Sequence, residues 1–258
     1  MQSIPAELEQ KLVGQLHSAG CIFAVADFRR LLEAAADEQE LESFTSRRIA
    51  GESTDQIVGR TEFFGLKIEL ASTIAGPDPG AELLVREAIA RAKSGAVVVE
   101  LECGSGALGI AVCSAIEEAE LFATDSSPVA VANATSNFER FGGKAFLGEL
   151  FEGLPEQIKG RVDILIVGKR WGATESAVLD PFAEQESRSP WEIGPGSRLE
   201  SLVLEAPLWL SKEGFLFIEA DEAVSDLIAR IWARHGFQTK LATSPLFNST
   251  LLIGQFAR

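Results

Sequence analysis

The sequence predicts an α/β protein in which a small helical domain precedes a doubly wound parallel sheet. From Glu82 onward, short apolar strands alternate with amphipathic helices, which is the pattern of a parallel sheet covered on both faces. A buried strand, a glycine turn and a helix follow one another between Ala96 and Ala111. The N-terminal part instead carries leucines at helical spacing.

The N-terminal part is predicted to form helices and a hairpin. Two paired strands, Ile57–Gly59 and Phe63–Leu70, are separated by the turn-prone sequence GRTE. The loop IAGPDPGAE, rich in proline and glycine, is the best domain junction. The predicted helices are Ala6–Ala19, Asp27–Ala36 and Glu40–Ala50. The expected units are a helical domain over residues 1–56, a β-hairpin linker over 57–75 and a ligand-binding domain over 76–258.

The elements of the sheet follow from their apolar patterns. A helix over Glu82–Lys93 leads to the strand that begins at Ala96. Ser126 or Ser127 is available to cap the helix that starts at Pro128. The further predicted helices are Pro128–Phe141, Leu199–Leu210 and Glu222–His235. The further strands are Glu120–Thr124, Lys144–Leu147, Val162–Val167 and Gly214–Glu219, followed by an antiparallel pair, Gln238–Ala242 and Thr250–Gln255.

Composition and charge disfavour several classes of function. In this chain of 258 residues, no apolar run approaches the ~20 residues of a membrane span. A net charge of −15 disfavours non-specific binding to nucleic acid, which depends on clustered Lys and Arg. The first residues do not resemble a signal peptide, so we expect a cytoplasmic protein.

The cysteines and histidines offer no material for a metal site or a Ser-His-Asp triad. Cys21, Cys103 and Cys113 lack metal-ligand spacing, and we expect reduced thiols in or near the core. His17 and His235 are expected to be structural, the second because a cation near a helix end interacts well with the dipole. We therefore predict no metal site.

The stretch AVVVELECGSGALGIA, from Ala96 to Ala111, is the best candidate for a ligand site. A helix that begins at a glycine turn presents unpaired N–H groups, and glycines let a ligand approach the backbone. Such turns also serve tight packing alone. Asp125 favours a ligand, because an acid at the end of the next strand is placed to bind ribose hydroxyls. The turn reads E-x-G-x-G after acidic Glu100, which suits the ammonium group of S-adenosylmethionine better than NAD.

These segments resemble those of the HemK or PrmC methyltransferases, which methylate the glutamine of peptide-release factors. They resemble more closely a PrmC-related branch common in actinobacteria. ELECGSGAL is similar to its DLCCGSGA motif, ATDSSPVAVANATSN to the motif with its cofactor aspartate, and GELFEGLP to the GDLFEPLP segment that borders the adenine. SAGCIFAVADFRRLLEAA and RRIAGESTDQIVGRTEFFGLKIEL resemble its helical domain and hairpin. The resemblance implies a Rossmann-like class I methyltransferase sheet of seven strands behind a helical substrate-recognition domain.

The resemblance also implies a site for S-adenosylmethionine, whose product is S-adenosylhomocysteine. By position, Glu100, Gly104 and Gly106 would line the methionine end and Asp125 the ribose. Alternatives stay open, because Glu100 and Glu149 also fit surface carboxylates and Phe151 fits plain core. The residues assigned to the adenine are Glu149, Leu150 and Phe151. Three residues adjacent to these are also predicted to bind the cofactor: Glu102, Cys103 and Ser126.

The sequence departs from the family where the acceptor binds. The family's fourth strand ends in Asn-Pro-Pro-Tyr or Asn-Val-Pro-Tyr, where the Asn side chain and a proline carbonyl hold the substrate nitrogen. Our candidate catalytic residues stand there instead: Gly168, Lys169, Arg170 and Trp171. Lys169 and Arg170 favour an anionic acceptor, and Trp171 offers stacking on a flat or cationic group. The same residues also fit an exposed loop. Glu184 and Glu186 are candidate bases.

Three hypotheses follow. The first is an S-adenosylmethionine-dependent methyltransferase acting on something other than a release-factor glutamine, such as a small anionic molecule. The second is a protein glutamine methyltransferase that tolerates an unusual motif, and the third is a noncatalytic cofactor-binding or interaction protein. We favour the first, because a site loses discrimination when the polar partners of its substrate are replaced. The expected partner is a small-molecule or peptide methyl acceptor, without nucleic acid or membrane.

Overall fold

The helical N-terminal part is held together by its own apolar core. The computed structural model describes residues 4–171, 197–244 and 249–257, with the backbone alone for 169–171, 244 and 249. Helices α1 (Ala6–Ser18), α2 (Ala24–Ala34) and α3 (Glu38–Ile49) pack around a core that includes Leu16, Phe28, Leu31 and Leu41. The leucine spacing that predicts these helices is thus the spacing of their buried faces.

The predicted strand over Ile57–Gly59 is wrong, because this segment forms the short helix α4 (Thr54–Val58) and its cap. The hydroxyl oxygen of Ser53 accepts a hydrogen bond from the backbone N–H of Gln56, and the Gln56 side chain accepts one from the N–H of Ser53. This reciprocal capping box satisfies two N–H groups that the first helical turn leaves without partners. Gly59, with a φ of 71°, ends the helix.

The hairpin is consequently displaced from its predicted position. The sequence GRTE was expected to be the turn, yet most of it lies in β1 (Arg60–Phe63), which pairs with β2 (Leu66–Glu69). The turn is Phe64-Gly65, whose φ angles of 52° and 74° are both positive. A two-residue turn of this kind matches the right-handed twist of an antiparallel pair.

The rest of the described chain builds a seven-stranded sheet in the order β5-β4-β3-β6-β7-β9-β8. All neighbours are parallel except β9, which is antiparallel to β7 and β8. This arrangement confirms the predicted Rossmann-like class. The strands are β3 (Val97–Leu101), β4 (Glu120–Asp125), β5 (Lys144–Leu147), β6 (Val162–Trp171), β7 (Leu210–Ala220), β8 (Phe237–Ser244) and β9 (Ser249–Phe256). The helices are α5 (Glu82–Ile89), α6 (Ala107–Cys113), α7 (Pro128–Phe138), α8 (Arg198–Trp209) and α9 (Glu222–Arg234).

Strand β3 lies at the point where the strand order reverses, with β4 on one side and β6 on the other. Its Val97 and Val99 pack in one core cluster and Val98 in the other, so the strand is buried on both faces. This explains its uninterrupted apolar run. In sheets of this class, ligands bind at the carboxyl ends of the strands beside such a reversal. The fold therefore predicts a ligand site at the residues that follow β3.

Strand β6 does not end at Gly168 as predicted, because its backbone continues to Trp171. Between Val167 and Trp171 the register with β7 shifts, so the strand becomes irregular rather than terminating. The other predicted elements lie at their expected places, with ends that differ by at most four residues. The three cysteines are free thiols, buried at Cys21 and Cys103 and half-buried at Cys113, as predicted.

No helix in the described ranges has the length and apolar character needed to cross a membrane. The division of the chain at residues 56/57 and 75/76 stays a prediction.

The capping box predicts the effect of removing the Ser53 hydroxyl. Replacing Ser53 by Ala leaves the Gln56 N–H without this acceptor, so we expect the free energy of unfolding to fall by about 1 kcal/mol. The matched control is Ser46→Ala, within α3, where the hydroxyl bonds only the preceding turn at Glu42 and the loss is expected to stay within a few tenths of a kcal/mol. Urea denaturation measures both, and equal losses would contradict the capping role.

Candidate functional site

A cavity of about 550 Å³ lies at the carboxyl edge of the sheet. Four neighbouring strands contribute to it: β3 through Glu100, β4 through Asp125, β6 through Gly168 and β7 through Glu219. The turn between β3 and α6 forms a further wall, as does the loop 73–78 that follows the hairpin. The cavity therefore lies where the strand order predicts a ligand site.

The turn after β3 is a run of left-handed backbone conformations. Glu102, Gly104 and Gly106 have φ angles of 53°, 52° and 76°. Glycine adopts this region without penalty, whereas Glu102 is strained there. At Gly106 a Cβ would also lie 2.4 Å from Cε1 of Phe138, so packing alone requires glycine there. Most of the turn and the start of α6 line the cavity.

Asp125 fixes this turn. Its Oδ2 accepts a hydrogen bond from the N–H of Gly104 at 2.9 Å, and its Oδ1 accepts one from the N–H of Ser127 at 2.8 Å. The side chain is thus shared between the glycine turn and the start of α7. Because each carboxylate oxygen has capacity for a second hydrogen bond, Asp125 can still accept from two ligand hydroxyls.

Glu100 lies within β3 and is 1% exposed, which excludes the interpretation as a surface carboxylate. Its Oε2 accepts a hydrogen bond from the N–H of Gly109 at 2.8 Å. Burial raises the pKa of Glu100 to about 8; the N–H groups of Gly109 and Leu108 oppose this increase, and the charge of Asp125 adds to it. A cationic group in the cavity would favour the ionised form.

Cys103 occupies the turn as a buried thiol. Burial raises its pKa, and the negative charges of Glu100 and Asp125 raise it further. The thiol therefore stays protonated and acts as a small apolar surface of the cavity rather than as a nucleophile.

Arg198, the first residue of α8, was not predicted from the sequence. Its Nη1 lies 3.5 Å from Oε1 of Glu102, and its Nε lies 2.5 Å from Oε1 of Glu149. It thereby joins the glycine turn to the loop after β5, where the adenine was predicted to bind. Glu149 is exposed, and this ion pair gives it a defined neighbour.

Six of the predicted residues line the cavity, and five further described ones do not: Gly106, Ser126, Glu149, Leu150 and Phe151. Ser126 is exposed, whereas Ser127 lines the cavity and caps α7. Leu150 and Phe151 lie in the core, where Phe151 stacks on Trp209 with ring centroids 5.5 Å apart. The predicted residues at the cavity are Glu100, Glu102, Cys103, Gly104, Asp125 and Gly168. All of these binding assignments stay predictions.

Several residues predicted to contact the methyl acceptor fall outside the part of the chain that the structure describes. The side chains of Lys169, Arg170 and Trp171 are among them, as are Glu184 and Glu186 entirely. Glu219 also lines the cavity, although it was not predicted as a site residue from the sequence. It is 5% exposed and ends a predicted strand, as Asp125 does, so the same strand-end rule would have identified it.

Comparisons with known proteins find similarity to methyltransferases. Residues 73–167 match the model of the family described as "Methyltransferase small domain". A release factor glutamine methyltransferase from Geobacter sulfurreducens is 29% identical over 198 residues, which is 74% of this chain and 69% of the relative. Further relatives carry the same name.

Two other comparisons concern a relative with a different name and a solved structure with a similar fold. A 4-amino-L-phenylalanine/4-methylamino-L-phenylalanine methyltransferase from Streptomyces pristinaespiralis is 27% identical over 54% of this chain and 52% of the relative. A ribosomal protein L11 methylase structure from Lactobacillus delbrueckii subsp. bulgaricus has a TM-score of 0.51 at 18% identity, over 70% of this chain and 80% of that one. The last comparison concerns the fold alone.

The buried position of Glu100 predicts a pH dependence of stability. The folded protein holds this proton up to about pH 8, whereas an ordinary carboxyl releases it near pH 4.5. Raising the pH through this range therefore favours the unfolded state, and the free energy of unfolding falls until about pH 8. The isosteric Glu100→Gln variant lacks this titration. Urea denaturation of both proteins across the range measures the difference, and a difference independent of pH would contradict a buried, protonated Glu100.

Asp125→Asn tests the predicted ribose contact. Loss of the carboxylate charge weakens the hydrogen bonds to the turn and to ligand hydroxyls, so we expect S-adenosylmethionine to bind roughly 10- to 100-fold more weakly by calorimetry. The matched control is Asp163→Asn at the start of β6, where the carboxylate accepts from the Val97 N–H and the Ser211 hydroxyl. That variant should lose stability and keep its cofactor affinity. Equal affinities of both variants would contradict the assignment.

Proposed function

The chain belongs to the HemK/PrmC-related, S-adenosylmethionine-dependent class I methyltransferases, and we propose that its methyl acceptor is a small molecule, not the glutamine of a release factor. The cavity fits the cofactor, because a glycine turn, a carboxylate with capacity for two hydroxyls and a buried glutamate meet there. When bound, the cofactor supplies an electrophilic methyl group on a sulfonium. This chain contributes position, since methyl transfer needs an aligned acceptor and no covalent intermediate.

The observation that carries the proposal is the space around Gly168. In the resembled family an asparagine at this place holds the substrate amide. Here a Cβ at Gly168 would lie 2.6 Å from the carbonyl oxygen of Glu102 and 3.2 Å from Oε1 of Glu100. A side chain therefore requires movement of the glycine turn. Position 168 can offer an acceptor only its backbone, so the hydrogen bonds that select an amide are lost.

The relatives support both the proposal and its alternative. The Streptomyces pristinaespiralis relative is named for methylating an amino acid with an aromatic amine, so this sequence neighbourhood includes a small-molecule enzyme. Several other relatives are named release factor glutamine methyltransferases, which favours the alternative acceptor, the glutamine of a release factor. An anionic acceptor was predicted from Lys169 and Arg170 and stays a prediction.

A methyl-transfer assay with a bacterial release factor decides between the two acceptors. We expect S-adenosylmethionine to bind by calorimetry and mass spectrometry to find no added methyl on the release-factor glutamine, because Gly168 provides no amide ligand. A release factor glutamine methyltransferase serves as the positive control on the same substrate. Methylation of that glutamine by this protein would overturn the proposal.

The Gly168→Asn variant tests the physical reason behind this expectation. We expect it to gain no activity on the release factor and to lower the thermal midpoint, because its Cβ clashes with the Glu102 carbonyl. Gly160→Asn is the control, since a Cβ there meets nothing within 4 Å and asparagine tolerates its left-handed backbone. An active, stable Gly168→Asn variant would show that the turn moves aside.

A further inference from the structure

Helix α7 carries two asparagines, one helical turn apart, whose side chains point away from solvent. Asn133 is 8% and Asn137 is 6% exposed. Asn133 accepts a hydrogen bond from the N–H of Ala71 at 2.8 Å and donates one to the carbonyl of Glu69 at 2.9 Å. Asn137 accepts from the N–H of Glu69 at 3.0 Å and donates to the same carbonyl at 2.9 Å. Both side chains therefore hold the end of the hairpin against α7.

Asn137 makes one contact that Asn133 lacks. Its Nδ2 also donates to the carbonyl of Ser105 at 2.9 Å, within the glycine turn. The two N–H groups of this amide are thereby divided between the hairpin and the turn. A single buried side chain thus connects the predicted cofactor-binding turn with the segment that leads away from it.

The segment beyond the hairpin reaches both the cavity and the N-terminal helices. Loop 73–78 lines the cavity, and a Cβ at Gly104 would lie 3.7 Å from Cγ2 of Ile74. At Gly76 a Cβ would lie 3.4 Å from Oδ2 of Asp55 in α4. Asp55 in turn accepts a hydrogen bond from the Thr61 hydroxyl of β1 at 2.9 Å and pairs with Arg30 of α2. Contacts therefore continue from the loop into the helical part.

We propose that Asn137 is a positioning residue that couples cofactor binding at the glycine turn to the order of the hairpin and α4. A buried amide whose two N–H groups and oxygen all have partners transmits rigidity, because its displacement leaves polar groups without partners. Binding at the turn therefore reduces local opening in a segment that does not touch the ligand. This coupling rests on the proposed cofactor site, and it is reciprocal, so order in the hairpin and α4 also favours binding at the turn.

Amide hydrogen exchange of residues 54–70 tests the coupling, because none of them lines the cavity. The probe is S-adenosylhomocysteine, the product form of the cofactor, at saturation as judged by calorimetry. In the wild-type protein we expect exchange in this segment to slow by about fivefold or more. In Asn137→Ala we expect the ligand still to bind and this slowing to disappear. In Asn133→Ala, the matched control without contact to the turn, we expect the slowing to persist.

The possible results of this experiment distinguish failure of the coupling from failure of the cofactor site. Slowing that persists in Asn137→Ala, or that is absent in the wild-type protein with bound ligand, overturns the coupling and leaves the acceptor proposal intact. Absence of any binding heat overturns the cofactor site and the coupling together. If Asn137→Ala does not fold, Asn137→Asp is compared with Asn133→Asp, since aspartate keeps the acceptor for the Glu69 N–H and lacks the amide donor to Ser105.

Discussion

The carboxylate of Asp125 is the interaction on which the rest of the site depends. Its two oxygens accept from backbone N–H groups of the glycine turn and of the start of α7, which come from separate segments. Bonds of this kind are charge-assisted and stronger than neutral ones. They stabilise a turn whose residues Glu102, Gly104 and Gly106 all have positive φ angles. The surface predicted to receive the cofactor is therefore preformed, which would reduce the entropy lost on binding.

The same turn limits what the acceptor side can contain. The carbonyl of Glu102 occupies the space that a side chain at Gly168 would need. Moving that carbonyl means moving a turn that Asp125 holds on one side and Arg198 contacts on the other. In the proposed site, cofactor binding and acceptor selection thus share one constraint, so we expect a substitution at Gly168 to affect both. Restoring an amide ligand at this position would require compensating changes in the turn.

Sequence reasoning succeeded where the signal is local. Glu100 near the end of β3, Gly104 in the turn after it and Asp125 at the end of β4 each belong to a short, recognisable segment, and all three line the cavity. It failed at α4, where the β-branched Ile57 and Val58 favour a strand but the capping box formed by Ser53 and Gln56 starts a helix. It also missed the contacts of Arg198, Asn133 and Asn137, because their partners are distant in sequence and only the folded chain brings them together.

The lining of the cavity is rich in carboxyl groups. Among its lining residues in the described ranges, the titratable carboxyl groups belong to Asp78, Glu100, Glu102, Asp125 and Glu219, and none is a Lys or Arg. Such a set attracts a ligand that carries a sulfonium and an ammonium group. It also crowds negative charge, and burial together with Asp125 keeps Glu100 protonated below about pH 8. A cationic ligand in the cavity would lower that pKa and favour the ionised carboxylate.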